Sequence, residues 1–365
     1  MAFSARRTSY YLDVVKGERT GLGPSLLRAG LATAAYVVWL PASSASKYYK
    51  LHGPSKPWRA PCPVISVGNI TAGGTGKTPM VEWLVNYLRS VHRRPAVLSR
   101  GYRATTGTSN DESELLSQHL GDVPVLTGKD RARSARGALE QKLANCFVLD
   151  DGFQHYAMER DLDIVLIDCL FPFGGGHLLP RGLLREPLRG LRRADAFVLT
   201  RSDQVDAVQR RAIRDKLAAI AGGGAPAAEA VHAPVDLAGV GPDGSACAEG
   251  LAWLRGRRVL LFSGIGNSLA FEGTAAALGC EAVERLRFRD HHRYFDHELV
   301  ELGHRAEELR CDAALTTEKD LVKIGMCWKS QVPLWALRVR LQVTAGEADL
   351  CSLIDGALSR PEKLV

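Results

Sequence analysis

Three short segments hold residues whose types and spacing can do chemistry. The first is VISVGNITAGGTGKTPM, residues 64–80. Gly76, Lys77 and Thr78 match the end of the phosphate-binding pattern G-x-x-x-x-G-K-[ST]. Thr71 stands where the first glycine belongs, and the glycines have moved to Gly73 and Gly74. An apolar strand leads in and an amphipathic helix leads out, the context in which backbone N–H groups and a helix dipole meet a phosphate. Thr71, Ala72, Gly73, Gly74, Thr75 and Gly76 would then form the cradle. Lys77 would reach the β- and γ-phosphates of ATP, and Thr78 would hold Mg²⁺ through its hydroxyl. The bland alternative is a glycine-rich connector.

The second segment is CFVLDDGFQH, residues 146–155. An apolar strand delivers Asp150 and Asp151 to its C-terminal end, and carboxylate oxygens suit Mg²⁺. Adjacent side chains on an extended strand point to opposite faces. Either the strand ends before Asp151, as Gly152 suggests, or one carboxylate alone meets the metal. The third segment, FRDHHRYFDH (residues 288–297), gathers Asp290, His291, His292 and His297. Its spacing fits no strong metal template; solvent-facing histidines are the default reading, with a metal site or a tuned His–Asp pair as the alternatives. SRGYR (99–103) and NDESE (110–114) add an arginine and carboxylates near the phosphate end of the sheet, and PFGGGHLLPRGLLREPLRGLRRAD (172–195) adds a glycine-, proline- and arginine-rich loop. LTRSD (199–203) has one Asp after a strand, a faint echo of a GTPase base-reading motif.

The elements that must position these residues follow from periodicity. VISVG, PAVLSRG, VPVLTG, CFVLDDG, DIVLIDC and AFVLTRS are apolar runs of the length of buried parallel strands. Met80, Leu84, Tyr87 and Leu88 recur at helical spacing between the first two. Strand and helix in alternation predict an α/β sheet with helices on both faces. Residues 204–230 read as an Ala- and Arg-rich helix followed by AGGGAPAAEA, a loose linker, and RRVLLFSGIGN, AALTTEKD and PLWALRVRLQV then open a second α/β series. The expected division is a basic, apolar N-terminal segment (1–60), a P-loop domain (61–203), a linker region (204–256) and a C-terminal α/β domain (257–365).

Charge narrows the class. The chain of 365 residues carries a formal +7, and residues 1–60 hold nine Lys and Arg against two acids, so the remainder is neutral. That distribution argues against a nucleic-acid binder and for an anionic membrane surface. Leu26–Leu40 is apolar apart from Arg28 and too short to span a bilayer, which takes about 20 residues. With Tyr36, Trp39, Tyr48 and Tyr49 nearby it predicts an interfacial helix, the alternative being a helix buried on the main body. Eight cysteines without C-x-x-C spacing read as free thiols.

Taken together, ISVGNITAGGTGKTP, SRGYR, NDE, DDGFQH, DIVLIDC, LLREPL, RRAD, SGIGN, DHHRY and TTEKD, in that order over about residues 25–345, resemble the tetraacyldisaccharide 4′-kinase family. The displaced glycines are normal for that family. The resemblance implies two α/β/α sandwich domains, the first a P-loop NTPase-like parallel sheet, preceded by a membrane-associating N-terminal helix. It implies ATP- and Mg²⁺-dependent phosphorylation of the 4′-hydroxyl of a tetraacylated glucosamine disaccharide 1-phosphate in lipid A biosynthesis. The setting would be the cytoplasmic face of the bacterial inner membrane, as a peripheral or monotopic protein, with no protein partner implied. By the same resemblance Asp111 is the base, His291 (or His292) its partner, Lys77 the catalytic cation, and Thr78, Asp150 and Asp151 the metal side. Gln154 and His155 lie near them, and Arg100, Arg131 and Arg185 are anion contacts for the substrate. Gly175 and Arg181 depart from the family pattern, where Asn and a small residue are expected. The competing class is a P-loop switch ATPase or GTPase that acts with a protein partner and needs neither Asp111 nor a lipid.

Overall fold

A computed structural model describes residues 11, 13–15, 17, 19–35, 57–101, 111–290 and 292–359, the side chains of Asp111, Glu112 and Met326 excepted. Its described residues divide into two compact units. The first takes the chain to Val231 and again from Leu341, and the second takes His232–Arg340.

The first unit is built on parallel strands β1 (Val64–Asn69), β2 (Pro95–Ser99), β3 (Val125–Thr127), β4 (Cys146–Asp150), β5 (Leu162–Asp168) and β6 (Ala196–Thr200), with the start of β7 (Ala227–Val240). Their order is β7-β6-β5-β1-β4-β2-β3. Strands β1, β2, β4, β5 and β6 are buried along their whole length, which is why they read as unbroken apolar runs. Helix α1 occupies residues 22–35, and α2 is Lys77–Ser90. Met80, Val81, Leu84, Val85 and Leu88 of α2 share one buried face, as a 3.6-residue period requires. Each contributes about 1.5–3 kcal/mol by leaving water. Helices α3 (Asp111–Leu120), α4 (Arg131–Glu140) and α5 (Ala207–Ala221) complete this part of the unit. Leu84 and Leu88 pack with Val67 and Val148, whereas Ile213 and Leu217 of α5 pack with Phe153, Val165 and Phe197 in a separate cluster.

The second unit has β8 (Ala246–Glu249) antiparallel to the end of β7, and parallel strands β9 (Arg258–Ser263), β10 (Glu281–Arg287), β11 (Ala313–Thr317) and β12 (Leu334–Ala345) in the order β10-β9-β11-β12. Helices α6 (Ser268–Ala277), α7 (Asp296–Glu308) and α8 (Glu318–Ile324) follow β9, β10 and β11. Leu260, Phe262, Ala314 and Leu334 pack with Leu299 and Leu302 of α7.

The expected division differs at two places. Residues 204–256 hold the expected Ala- and Arg-rich helix as α5, capped at Asp206 by a reciprocal bond with Gln209, but also β7 and β8 where a linker was expected. Strand β12 carries the chain back, so its last residues and α9 (Glu347–Leu358) belong to the first unit. Leu350, Ile354 and Ala357 of α9 are part of the same core as Leu84. All eight cysteines are free.

Helix α1 is mostly exposed, with Leu22 86% and Leu26 72% accessible. Among the described residues no helix is long and apolar enough to cross a membrane. Residues 36–56, with Tyr36, Trp39, Tyr48 and Tyr49, lie outside the described residues.

Candidate active site

The loop between β1 and α2 is held from outside, carbonyl by carbonyl. Asn69 Nδ2 donates to the Thr71 carbonyl and to Thr75 Oγ1, both at 2.8 Å. Thr200 Oγ1 donates to the Thr75 carbonyl at 2.9 Å, and Arg201 Nη2 to the Gly74 carbonyl at 2.7 Å. Residues 183–185 run alongside: Ala72 N donates to Leu183 O at 2.7 Å and Arg185 N to Ile70 O at 2.9 Å. Carbonyls drawn away in this manner leave the loop's N–H groups for an anion. Gly73 (φ 117°) and Gly76 (φ 89°) take backbone angles closed to most residues, which fixes where the glycines must stand. Gly76 caps α2 without a side-chain bond, so the helix opens on an anion-binding end. At the strand end, a Cβ on Gly68 would lie 2.6 Å from Phe153 Cβ, so the DDGF turn can close only on glycine.

That turn brings the acids in. Strand β4 ends at Asp150, and Asp151 adopts φ 52°, so the strand alternation no longer separates the two carboxylates. Asp151 Oδ1 lies 3.6 Å from Lys77 Nζ, and Arg185 Nη1 contacts both Asp151 oxygens at 2.8 Å. Burial alone would raise the Asp151 carboxyl. Lys77 and Arg185, with Arg131 behind them, outweigh it and hold the group below the usual carboxylate range. Lys77 Nζ is also 3.5 Å from Asn69 Oδ1. Asp150 Oδ2 accepts from Ser99 Oγ at 3.1 Å.

Of the expected anion contacts, Arg185 and Arg131 lie beside the acids. Arg185 engages Asp151 directly. Arg131 differs from the expectation: it is 3% exposed and donates to the Asp150 carbonyl at 2.7 Å and the Asp151 carbonyl at 3.2 Å. It braces the turn from within. Arg100 sits exposed just past β2. Asp111 is the first residue of α3; its side chain is outside the described residues. Helix α3 is tied to α2 where partly buried His119 Nδ1 meets Oε1 of buried Glu82 at 2.6 Å. His291 also lies outside the described residues. In the second unit, His292 Nε2 lies 3.0 Å from Glu298 Oε2, and its ring stacks on Phe288.

The geometry adds Asn69 and Glu186 to the residues expected from the sequence and gives Gln154 and His155 definite partners or surroundings. Asn69 was visible inside the phosphate-loop segment as the strand's last polar residue. Gln154 Nε2 donates to Asn69 O at 2.8 Å and Glu186 Oε1 at 2.9 Å, and Glu186 also takes Arg193 at 2.9 Å. Glu186 follows Arg185 in LLREPL, but nothing in the spacing marks it as a partner of DDGFQH. Burial, with Arg131 and Arg160 adding to it, pushes the His155 imidazole down to about 4, so it is neutral at pH 7. The unfolded chain protonates this histidine near 6.5. The unfolded state therefore binds more protons between about pH 6.5 and 4, and stability falls as pH drops through that window. In His155→Gln, equilibrium unfolding monitored by circular dichroism at pH 7, 6 and 5 should show a shallower loss, by up to about one proton's worth of slope. An unchanged slope would remove His155 from that account.

Among the described residues no group of three or more His, Cys, Asp and Glu side chains is arranged to hold a metal by itself. Thr78 and the two aspartates nonetheless fit Mg²⁺, which binds oxygen, commonly through one or two carboxylates completed by water and substrate phosphate.

Comparison with known proteins adds the following. The family described as tetraacyldisaccharide-1-P 4′-kinase (LpxK) matches residues 27–359. A tetraacyldisaccharide 4′-kinase of Anaeromyxobacter sp. (strain Fw109-5) is 42% identical over 365 residues, covering 95% of each chain. One from Syntrophus aciditrophicus is 40% identical over 307 residues, 78% of this chain and 81% of its own. The crystal structure of "apo" form LpxK from Aquifex aeolicus in complex with ATP superposes with a TM-score of 0.66 at 29% identity, covering 91% of this chain and 99% of that one.

Proposed function

The chain belongs to the tetraacyldisaccharide-1-P 4′-kinase family, and from that premise we propose how its residues share the reaction. It is a kinase of lipid A biosynthesis that moves the γ-phosphoryl group of ATP to the 4′-hydroxyl of a tetraacylated disaccharide 1-phosphate. The observation that supports our assignment is the meeting of Lys77, Asp151 and Arg185 at the open end of α2.

The N–H groups of residues 73–78 hold the ATP phosphates. Lys77 neutralises charge on the transferring group, and phosphoryl transfer is chiefly positioning and electrostatics. Thr78, Asp150 and Asp151 would hold Mg²⁺, which when bound supplies further neutralisation of the β- and γ-oxygens. In the resting protein Asp151 keeps Lys77 and Arg185 poised. Asp111, at the start of α3, accepts the proton of the 4′-hydroxyl. We assign Arg185 and Arg100 to the anionic ends of donor and acceptor. The exposed leucines of α1 and the basic N-terminal segment bring the protein to the surface of an anionic membrane, on the ATP-containing cytoplasmic face, where an acylated acceptor resides.

Purified protein incubated with γ-labelled ATP and the disaccharide 1-phosphate in anionic vesicles should place label on the lipid. Asp111→Ala should lower that rate about 10²-fold while nucleotide binding stays near wild type. Neutral vesicles should slow transfer and reduce sedimentation of the protein with lipid. Label released as inorganic phosphate with none on the lipid is what a switch nucleotidase gives, and would defeat this assignment. Full transfer by Asp111→Ala would remove that residue from the mechanism.

A further inference from the structure

In the segment LTRSD, residues 199–203, Thr200 and Arg201 hold the phosphate loop, but Asp203 has no part in the chemistry above. Strand β5 pairs with β1 (Asn69 opposite Leu166), and β6 pairs with β5 (Thr200 opposite Asp168). The end of β6 is thus two strand spacings, about 10 Å, from β1. The acids Asp150 and Asp151 end β4, on the other flank of β1. The C-terminal ends of β5 and β6, the edge at which open α/β sheets hold ligands, therefore lie on the side of the phosphate loop away from those acids.

The chain is built for contact there. Thr200 and Arg201 hold the Thr75 and Gly74 carbonyls of the phosphate loop at 2.9 and 2.7 Å. Arg201 Nη1 pairs with Asp168 Oδ2 at 2.8 Å, and the residue is 8% exposed. Its backbone sits at φ 55°, a left-handed conformation that costs a non-glycine residue about 1 kcal/mol or more and persists where surroundings enforce it. The short turn Ser202–Gln204 that follows presents Asp203 to solvent, two residues past the arginine that grips the loop.

We propose that Asp203 reads the base of the bound nucleotide, and that the site accepts a guanine nucleoside triphosphate as phosphoryl donor beside ATP. A carboxylate only accepts hydrogen bonds. Guanine offers it N1–H and N2–H side by side, a charge-assisted bidentate match. Adenine offers N6–H next to the N1 lone pair, which is one bond and one repulsion. The reaction is otherwise unchanged: the bond from the γ-phosphorus to the bridging oxygen breaks, the bond to the 4′-oxygen forms, and guanosine diphosphate and a proton leave. The inference rests on the kinase assignment above.

The test compares γ-labelled GTP and ATP as donors to the disaccharide 1-phosphate, with full-length wild type and Asp203→Asn. Wild type should use GTP with a kcat/KM within tenfold of that for ATP. Asp203→Asn should lower the GTP-to-ATP ratio by about tenfold or more, since a site built on such bonds discriminates by losing them. Wild-type GTP use below a tenth of ATP use, or a ratio that moves less than tenfold, overturns the proposal. If Asp203→Asn does not fold, the wild-type comparison alone decides. Label reaching the lipid from neither nucleotide strikes the kinase assignment instead, so the two failures are distinct.

Discussion

Lys77→Ala should lower kcat/KM for ATP-dependent transfer to the lipid disaccharide by about 10³-fold or more. Phosphoryl transfer leaves the protein little covalent work, so the loss of a cation aimed at the γ-phosphoryl oxygens falls on the transition state. The geometry says why the charge sits there. Lys77 is the first residue of α2, and its ammonium is kept between Asn69 Oδ1 at 3.5 Å and Asp151 Oδ1 at 3.6 Å. The loop N–H groups and the open helix end survive the substitution, so nucleotide affinity should fall far less than kcat. Lys77→Arg should recover little, because a broad planar fork does not replace a compact ammonium between those two partners. Steady-state label transfer, paired with nucleotide titration, separates the two quantities. A Lys77→Ala protein that keeps a tenth of wild-type kcat/KM, or that loses affinity and rate in equal measure, would contradict this role. The fold should tolerate the change, since Asp151 keeps Arg185 at 2.8 Å.

Much of the frame around Lys77 could be read from the sequence because it is local. Strands β1, β4, β5 and β6 are buried on both faces and so appear as apolar runs, and α2 shows its period because one face alone is buried. The moved glycines were legible as an irregularity, but not their cause. That lies in the positive φ of Gly73 and Gly76, in a loop whose carbonyls are held by side chains far along the chain, Thr200 and Arg201. The question whether Asp150 and Asp151 share a face was posed by the strand period and answered only by φ 52° at Asp151. Strand β7 lies where the sequence alone predicts linker. It is rich in alanine and holds Pro234, and it is a strand because β6 and β8 pair with it, which no local propensity records. Strand β10 is charged and half-exposed, consistent with its place at the end of the second unit's strand order. The return of β12 and α9 to the first unit is likewise non-local. Arg131 shows the limit for single residues: a basic letter near a phosphate site looks like an anion contact, yet here it donates to the buried Asp150 carbonyl and the part-buried Asp151 carbonyl.

The same long-range dependence governs Asp151, where the second large effect is expected. Asp151→Asn should lower kcat/KM by about 10²–10³-fold, raise the Mg²⁺ concentration needed for half-maximal rate, and destabilise the protein at neutral pH. Its carboxylate does two things at once. It faces Lys77 and takes Arg185 on both oxygens, so in the resting protein it separates two cations that would otherwise repel. It also offers oxygen to a hard divalent ion, and an amide keeps the shape but gives up the charge. The pH dependence has a definite sign. The folded-state carboxyl lies below its unfolded value, because Lys77, Arg185 and Arg131 overcome the upward push of burial. Its contribution to stability is therefore present above the unfolded value near 3.9 and is lost as pH falls through the folded value. The stability gap between wild type and Asp151→Asn should be largest at neutral pH and close in acid. Since the side chain is one-third exposed, solvent screens the pairing and the gap should be modest beside the loss of rate. Denaturant unfolding across that pH range, set against Mg²⁺ titrations of transfer, tests both halves. A gap that stays constant into acid would show that the pairing with Lys77 and Arg185 does not stabilise the fold. An unmoved Mg²⁺ requirement would take Asp151 off the metal side and leave it as a holder of cations alone.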